Sequence, residues 1–192
     1  MRVTREQAAA NRERIIEAAG ELFRSKGFSG IGVADLMKAA ALTHGGFYGH
    51  FASKDDLIAQ ASRRSMQRSA HNWRKVVAEA GSDAFSTLLT GYLSPRHRDD
   101  PGHGCAFASL AGEAARCGKP VREAFAEGLE PLIEILSGLV GGRTKAGRRR
   151  KAIAVLSELI GALMLSRAVG DAELSDEILD AGRRELLAAT KR

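Results

Sequence analysis

The chain has 192 residues, 44% of them apolar and 5% aromatic, with a formal net charge of +6, a composition that supports a packed core and excludes wholesale disorder. Two cysteines, Cys105 and Cys117, without a CxxC pair exclude a disulfide scaffold or a cysteine-rich zinc site, and the apolar runs are too short to span a membrane. Residues 1–68 hold +4 of the net charge and the remainder +2, which draws a polyanion to the N-terminal third, although charge of this size also occurs in proteins that bind no nucleic acid.

The segment Met1–Ala10 lacks the apolar core of a signal peptide, so a cytoplasmic setting is the default expectation. The first helix runs from about Thr4 or Asn11 to Lys26, with a capping box between Thr4 and Gln7. Ile15, Ile16, Ala19, Leu22 and Phe23 draw one apolar stripe along it; Gly27 ends it and Phe28 folds back onto the stripe. A short helix from Val33 to Ala40 follows, then the turn Ala41-Leu42-Thr43 and a third helix, Thr43 to His50, capped by the Thr43 hydroxyl. Ser53 opens a fourth, with Asp55 and Asp56 at the positive end of its dipole, and this helix continues through Trp73 to about Ala80. Gly81-Ser82-Asp83 ends it. Beyond lie Asp83–Leu93, a polar loop from Pro95 to Gly104, a helix from Cys105 to Cys117 ended by Gly118 and Pro120, and a helix from Val121 to Leu139 that Pro131 kinks or divides. Gly141 to Arg150 reads as a basic connection, Ala152 to Val169 as the most apolar helix, and Ser175 as the cap of the last, with Leu174 stapled onto Leu179. No segment alternates as a strand would, so the expected fold is all-α with about nine helices.

Two short helices joined by a tight turn form a unit that fits the major groove of DNA, about 12 Å wide. Here the reading helix is Thr43–His50, fastened by Val33, Leu36, Met37, Leu42 and Phe47. Thr43 and His44 lie at its leading end, Gly45 and Gly46 allow close backbone approach, Tyr48 has the reach for a phosphate, and Lys54 stands at the next helix start where amides and charge together grip a phosphate. Each has a plainer alternative: Tyr48 as a core residue, His50 as an interhelical hydrogen-bonding group, Lys54 as a solvated cap residue, and Arg63, Arg64 and Arg68 as a wet helix face.

The blocks RERIIEAAGELFRSKGF (Arg12–Phe28), VADLMKAA (Val33–Ala40) and LTHGGFYGHFASKDDL (Leu42–Leu57) resemble, in order and spacing, the helix-turn-helix of the TetR/AcrR family of transcription regulators. The resemblance implies a DNA-binding domain over residues 1–54 and a helical sensor and dimerisation domain over 55–192. It implies phosphate contacts from Tyr48 and Lys54, with Thr43, His44 and Gly45 facing DNA; His50, at the end of the same helix, is a further candidate for a DNA contact. One departure stands out: Gly32 occupies a place where many members carry a hydroxyl that caps the second helix and meets a phosphate.

The resemblance also implies a homodimer paired through helices at about 147–170 and 174–190. The apolar set Ile153, Leu156, Leu159, Ile160, Leu163, Met164 and Val169, with Gly161 and Ala162 for close contact, agrees with that; a central core helix of a monomer is the alternative. Two-fold pairing sets two reading helices about 34 Å apart and calls for a near-palindromic operator in double-stranded DNA. In the rear domain Trp73, Phe85, Tyr92, Phe107 and Phe125 line a ligand pocket or fill a solid core. Cys105, near a helix start and two residues from His103, is the candidate sensing thiol, its ionised form favoured by the helix amides and His103; a small buried hydrophobe is the alternative. The block GHGCAFASLAGEAAR (Gly102–Arg116) resembles a subgroup of the family that responds to reactive electrophiles through a cysteine in this region. No metal motif, cofactor motif or nucleophile–base–orienter set is present in the sequence, so an enzyme is not expected. The competing readings are a small all-helical enzyme or a protein-interaction bundle using Cys105.

Overall fold

The computed structural model describes residues 4–190, the side chains of 189 and 190 excepted; Met1–Val3, Lys191 and Arg192, which fall within the two predicted domains, lie outside the described residues. Among the described residues there are nine α-helices, three short 3₁₀ turns and no strand. Helix α1 (Arg5–Lys26) carries the predicted capping box, with the Gln7 backbone N–H donating to the Thr4 hydroxyl and the Thr4 backbone N–H to the Gln7 side-chain Oε1. Gly27, at φ +77°, ends it, and Phe28 folds back edge-on against Phe23 at 5.4 Å. Helix α2 (Val33–Ala39) closes in a Schellman motif, Leu42 N–H to Met37 O and Ala41 N–H to Lys38 O. That motif places Ala41 in the left-handed region at φ +57°, where a Cβ is strained.

The third element departs from the predicted α-helix. Residues His44–Gly49 form a 3₁₀ turn, not an α-helix, and the Thr43 side chain makes no cap bond. Gly45, Gly46 and Gly49 within six residues forfeit the propensity an α-helix needs, and i to i+3 bonds such as Gly46 N–H to Thr43 O close the turn instead.

Helix α3 (Lys54–Ala80) begins at Ser53, whose hydroxyl accepts from Asp56 N–H, while the Asp56 carboxylate accepts from Ala52 N–H. Its 27 residues span about 40 Å and join the N-terminal helices to the rest without a flexible linker. Along one side it packs on α1, where Gly20 lies against Ser65. Arg12, Arg64 and Arg68 cross to Gln60, Glu13 and Glu17, so the expected wet arginine face is largely paired, with Arg63 on Glu127. Along the other side α3 packs on α7 (Lys119–Leu139), closest at Gly128, where any side chain would collide with Met66.

Helix α4 (Ala84–Tyr92) follows a 3₁₀ turn at Gly81–Asp83. The predicted polar loop then holds α5 (Pro95–Asp99) and a 3₁₀ turn (Pro101–His103), because Ser94 and Asp100 each cap the N–H three residues on and a proline occupies N1. Helix α6 (Ala106–Ala114) stops short of Cys117. Pro120 begins α7 rather than ending α6, and α7 runs through Pro131 unbroken. Helix α8 (Lys145–Ala168) takes in Arg148–Arg150, since the Thr144 hydroxyl caps Gly147 N–H; the basic connection is thereby reduced to residues 140–144. Helix α9 (Ala172–Thr190) starts before Ser175: Asp171 accepts from Leu174 N–H, and Ser175 is buried, donating to Ser166 O at 2.7 Å. Leu174 points outward, so it does not staple onto Leu179.

Candidate nucleic-acid interface

The 3₁₀ turn stands on a buried aromatic base. Phe47 is fully buried and packs against Phe51 at 5.6 Å, and the Arg12 guanidinium covers the Phe51 ring at 5.2 Å. Tyr48, the next residue, is 72% exposed and meets Phe47 edge-on, so it is not a core side chain. Thr43, His44 and Gly45 are exposed with it, and His50 is half-buried against Phe51. A Cβ at Gly45 or Gly49 would meet open space, whereas one at Gly46 would meet Met37. One bare backbone ridge therefore points away from the protein, with Tyr48 and His44 on it.

Lys54 sits elsewhere. Its ammonium donates to the carbonyls of Phe28 and Ile31 at 2.5 and 2.7 Å, closing the loop between α1 and α2. It is neither a solvated cap residue nor, in the protein without DNA, a free cation. The same loop is held from its other side by Glu113, near the end of α6, whose carboxylate accepts from Phe28 N–H at 2.8 Å and Ser29 N–H at 3.3 Å. Gly27 makes room for that carboxylate, because a Cβ there would collide with it.

Glu113 thus connects this loop to the helix that Cys105 begins. Cys105 is 6% exposed and occupies the N-cap of α6 without a side-chain cap bond. It borders a cleft of about 150 Å³ with Trp73, Tyr92 and His103 on its walls. Phe107 and Phe125 pair edge-on at 5.4 Å within the core, and Phe85 packs half-buried on the core, so the predicted aromatics divide between cleft and core. His103 is exposed and turned to Asp100 at 3.0 Å, which holds the Asp100 carboxyl below its usual range. The imidazole that meets Cys105 is His97. Its Nε2 accepts from Cys105 N–H at 3.0 Å while its Nδ1–H donates to Tyr92 O at 2.8 Å. Those two bonds require the neutral ring, and burial lowers its basicity accordingly. Burial also pushes the Cys117 thiol up, assisted by the Asp55 and Glu113 carboxylates.

Two arginines lock the Cys105 loop in place. Buried Arg24 donates from α1 to Gly102 O at 2.7 Å and to the Ser65 hydroxyl. Arg167 donates from α8 to Arg98 O, His97 O and the Ser109 hydroxyl at 3.0, 2.6 and 3.1 Å. Sequence spacing gives no hint of Glu113, Arg24, His97 or Arg167, whose partners lie up to 85 residues away. Elsewhere along α8, Leu156, Leu159 and Leu163 enter the core, while Ile153, Met164 and Leu165 stay exposed, and Gly161 faces open space. Ala162 is instead used within the chain, close to Gly182 of α9. Among the described residues no cluster of three metal-ligating side chains occurs, and no helix is long and apolar enough to cross a membrane.

Residues 15–61 match the family described as bacterial regulatory proteins, tetR family. The chain is 25% identical over 138 residues to the HTH-type transcriptional repressor NemR of Escherichia coli (strain K12), covering 69% of this chain and 68% of that one. It is 23% identical to the HTH-type transcriptional repressor DhaR of Mycobacterium sp. (strain GP1), across 94% of each. Among solved structures, reduced E. coli NemR superposes with a TM-score of 0.77 at 19% identity, over 92% of this chain and 95% of that one. A TetR transcriptional regulator from Chloroflexus aurantiacus J-10-FL superposes with a TM-score of 0.78 at 22% identity, over 97% of each.

Proposed function

We infer, for a chain that belongs to the TetR family of bacterial regulatory proteins, a sequence-specific DNA-binding repressor that works in the cytoplasm and leaves its operator when a small molecule enters the rear domain or a thiol there is modified. The observation that carries the reading is the exposed ridge at His44–Gly49, bare of side chains at Gly45 and Gly49 and flanked by Tyr48, on a fully packed aromatic base. In this reading Thr43, His44 and Gly45 meet base edges or phosphates, Tyr48 and His50 meet the flanking backbone, and Lys54 keeps the α1–α2 loop in shape while lending its charge to a nearby phosphate. Residues 1–54 form the reader, and residues 55–192 the sensing and pairing unit.

Pairing is assigned to α8 and α9. The exposed side chains of Ile153, Met164 and Leu165, with Gly161 between, leave apolar surface on α8 that suits a two-fold helical interface with a second copy. Such a dimer offers two ridges to successive major grooves.

Cys105 is the sensing thiol of this account. It begins α6, and Glu113 near the far end of α6 holds the loop between α1 and α2, so a group attached to the sulfur strains one end of a short rod whose other end positions the reader. Arg24 adds a direct tie between α1 and the Cys105 loop. A coupling of about 2.7 kcal/mol between the two sites suffices for a hundredfold loss of DNA affinity. The test is selection of bound fragments from random duplex DNA, repeated after alkylating the protein. The expected result is an inverted repeat, lost on alkylation of the parent and retained by Cys105→Ser. A Cys105→Ser protein that still releases DNA on treatment removes the thiol from the mechanism, and failure to enrich any duplex removes the reader.

A further inference from the structure

We propose that Tyr92 sets the reactivity of Cys105, its buried hydroxyl donating to the sulfur once the thiol has lost its proton. The inference rests on the reading of Cys105 as the sensing residue and adds the group that readies it, a role the sequence suggested for His103. The Tyr92 hydroxyl oxygen is sealed inside the protein and has no hydrogen-bond partner, which is costly for a native core. Its ring is fixed edge-on between Trp73 at 5.9 Å and His97 at 4.7 Å, so the hydroxyl is not free to turn to water. Beside it lies Cys105, across the wall of the shared cleft. An O–H facing a neutral thiol gains little; facing a thiolate it gains a charge-assisted bond. The pairing therefore favours the ionised sulfur, and burial together with that sulfur keeps the Tyr92 phenol protonated and able to donate.

Arg24 from α1 and Arg167 from α8 are the cations whose side-chain charges lie nearest to Cys105. Their hydrogen bonds go to carbonyls and hydroxyls rather than to carboxylates. The carboxylates they feel are Glu17 and Glu21 for Arg24, and Asp99 and Asp100 for Arg167. His97 is held neutral by its two bonds, and His103 faces Asp100 and Glu21. Cys105 itself stands at the N-cap of α6, the positive end of that helix. Tyr92 supplies the directional bond in this set, and the arginines supply field.

The test is alkylation by iodoacetamide of the full-length protein carrying Cys117→Ser. The thiol proton goes to water, the sulfur attacks the methylene carbon, the C–S bond forms and iodide leaves with the C–I electrons. Intact mass gives the rate from about pH 6 to pH 10. Tyr92→Phe is expected to slow the reaction about tenfold near neutral pH and to match its parent at the alkaline end, where both thiols are ionised. A second arm protects against misfolding of that variant. In a Tyr48→Phe background Tyr92 is the sole tyrosine, and uniform 3-fluorotyrosine labelling makes its hydroxyl a stronger donor without changing its shape. The labelled protein is expected to react faster near neutral pH. Rates unchanged by both alterations overturn the proposal. DNA release is scored separately: a protein that shows the Tyr92 dependence but stays on DNA when alkylated contradicts the sensor reading and leaves this inference standing.

Discussion

Replacing Glu113 with alanine is expected to weaken the link between the proposed reader and the proposed sensor. In the folded chain its carboxylate accepts from two loop amides, at 2.8 and 3.3 Å, near the junction of α1 and α2. A hydrogen bond to a charged group contributes about 1.5–3 kcal/mol, and the longer bond lies near the weak end. Because the carboxylate is partly exposed, the pair together contributes about 1–2 kcal/mol after solvent screening. If that contact carries the signal, its loss removes about half of a 2.7 kcal/mol coupling, so a hundredfold release shrinks to roughly tenfold. The assay is fluorescence anisotropy on the selected operator, with each protein measured before and after alkylation of Cys105. Affinity before alkylation is expected to fall only slightly, whereas the ratio of the two affinities falls about tenfold. Glu113→Gln, which keeps one acceptor oxygen, is expected to lie between. An unchanged ratio in Glu113→Ala refutes the rod, and transmission would then belong to α3 or to Arg24.

Three further outcomes are expected. Ala41→Gly relieves a left-handed alanine at φ +57°, a strain of about 1–2 kcal/mol against a glycine entropy cost of about 0.5–1; the melting temperature should rise by about 1–3 °C, and a fall would count against strain at that turn. Lys54→Met leaves the carbonyls of Phe28 and Ile31 without their donor and should cost about 1–2 kcal/mol in urea unfolding without DNA, whereas a lysine reserved for phosphate would leave that stability unchanged. His97, held neutral with its basicity below the ordinary 6.5, binds its proton less readily folded than unfolded. Its contribution is complete above pH 6.5 and is lost as the pH falls from there towards the lowered folded value. Parent stability should therefore drop over that interval more steeply than that of His97→Gln, and parallel curves would contradict the neutral bridge.

Local chemistry was legible in the sequence wherever a residue answers to its neighbours. Thr4 with Gln7, Gly27, Gly32 and Ser53 stand at the helix ends their side chains or lack of one imply. Where caps compete, reading failed: Ser175 looks like a cap but is consumed by Ser166 across a tertiary contact, and Thr144 extends α8 through a stretch that reads as a loop. Pro120 marks a helix start as readily as an end, and only packing decides. Around Cys105 the sequence offered His103 because it is near in the chain. The imidazole that matters, His97, reaches the cysteine through the turn of α5. Glu113 and Arg24 were invisible for the same reason, since their partners are tertiary and carry no periodic signature.

DNA reading by the His44–Gly49 turn is tested by methylation protection of major-groove guanines on the selected operator, comparing the parent protein with Tyr48→Ala. Two protected patches are expected on one face of the duplex, about ten base pairs apart, both weakened in the variant without a change of position. A single patch, or protection indifferent to the His44–Gly49 turn when that segment is altered, contradicts that reading.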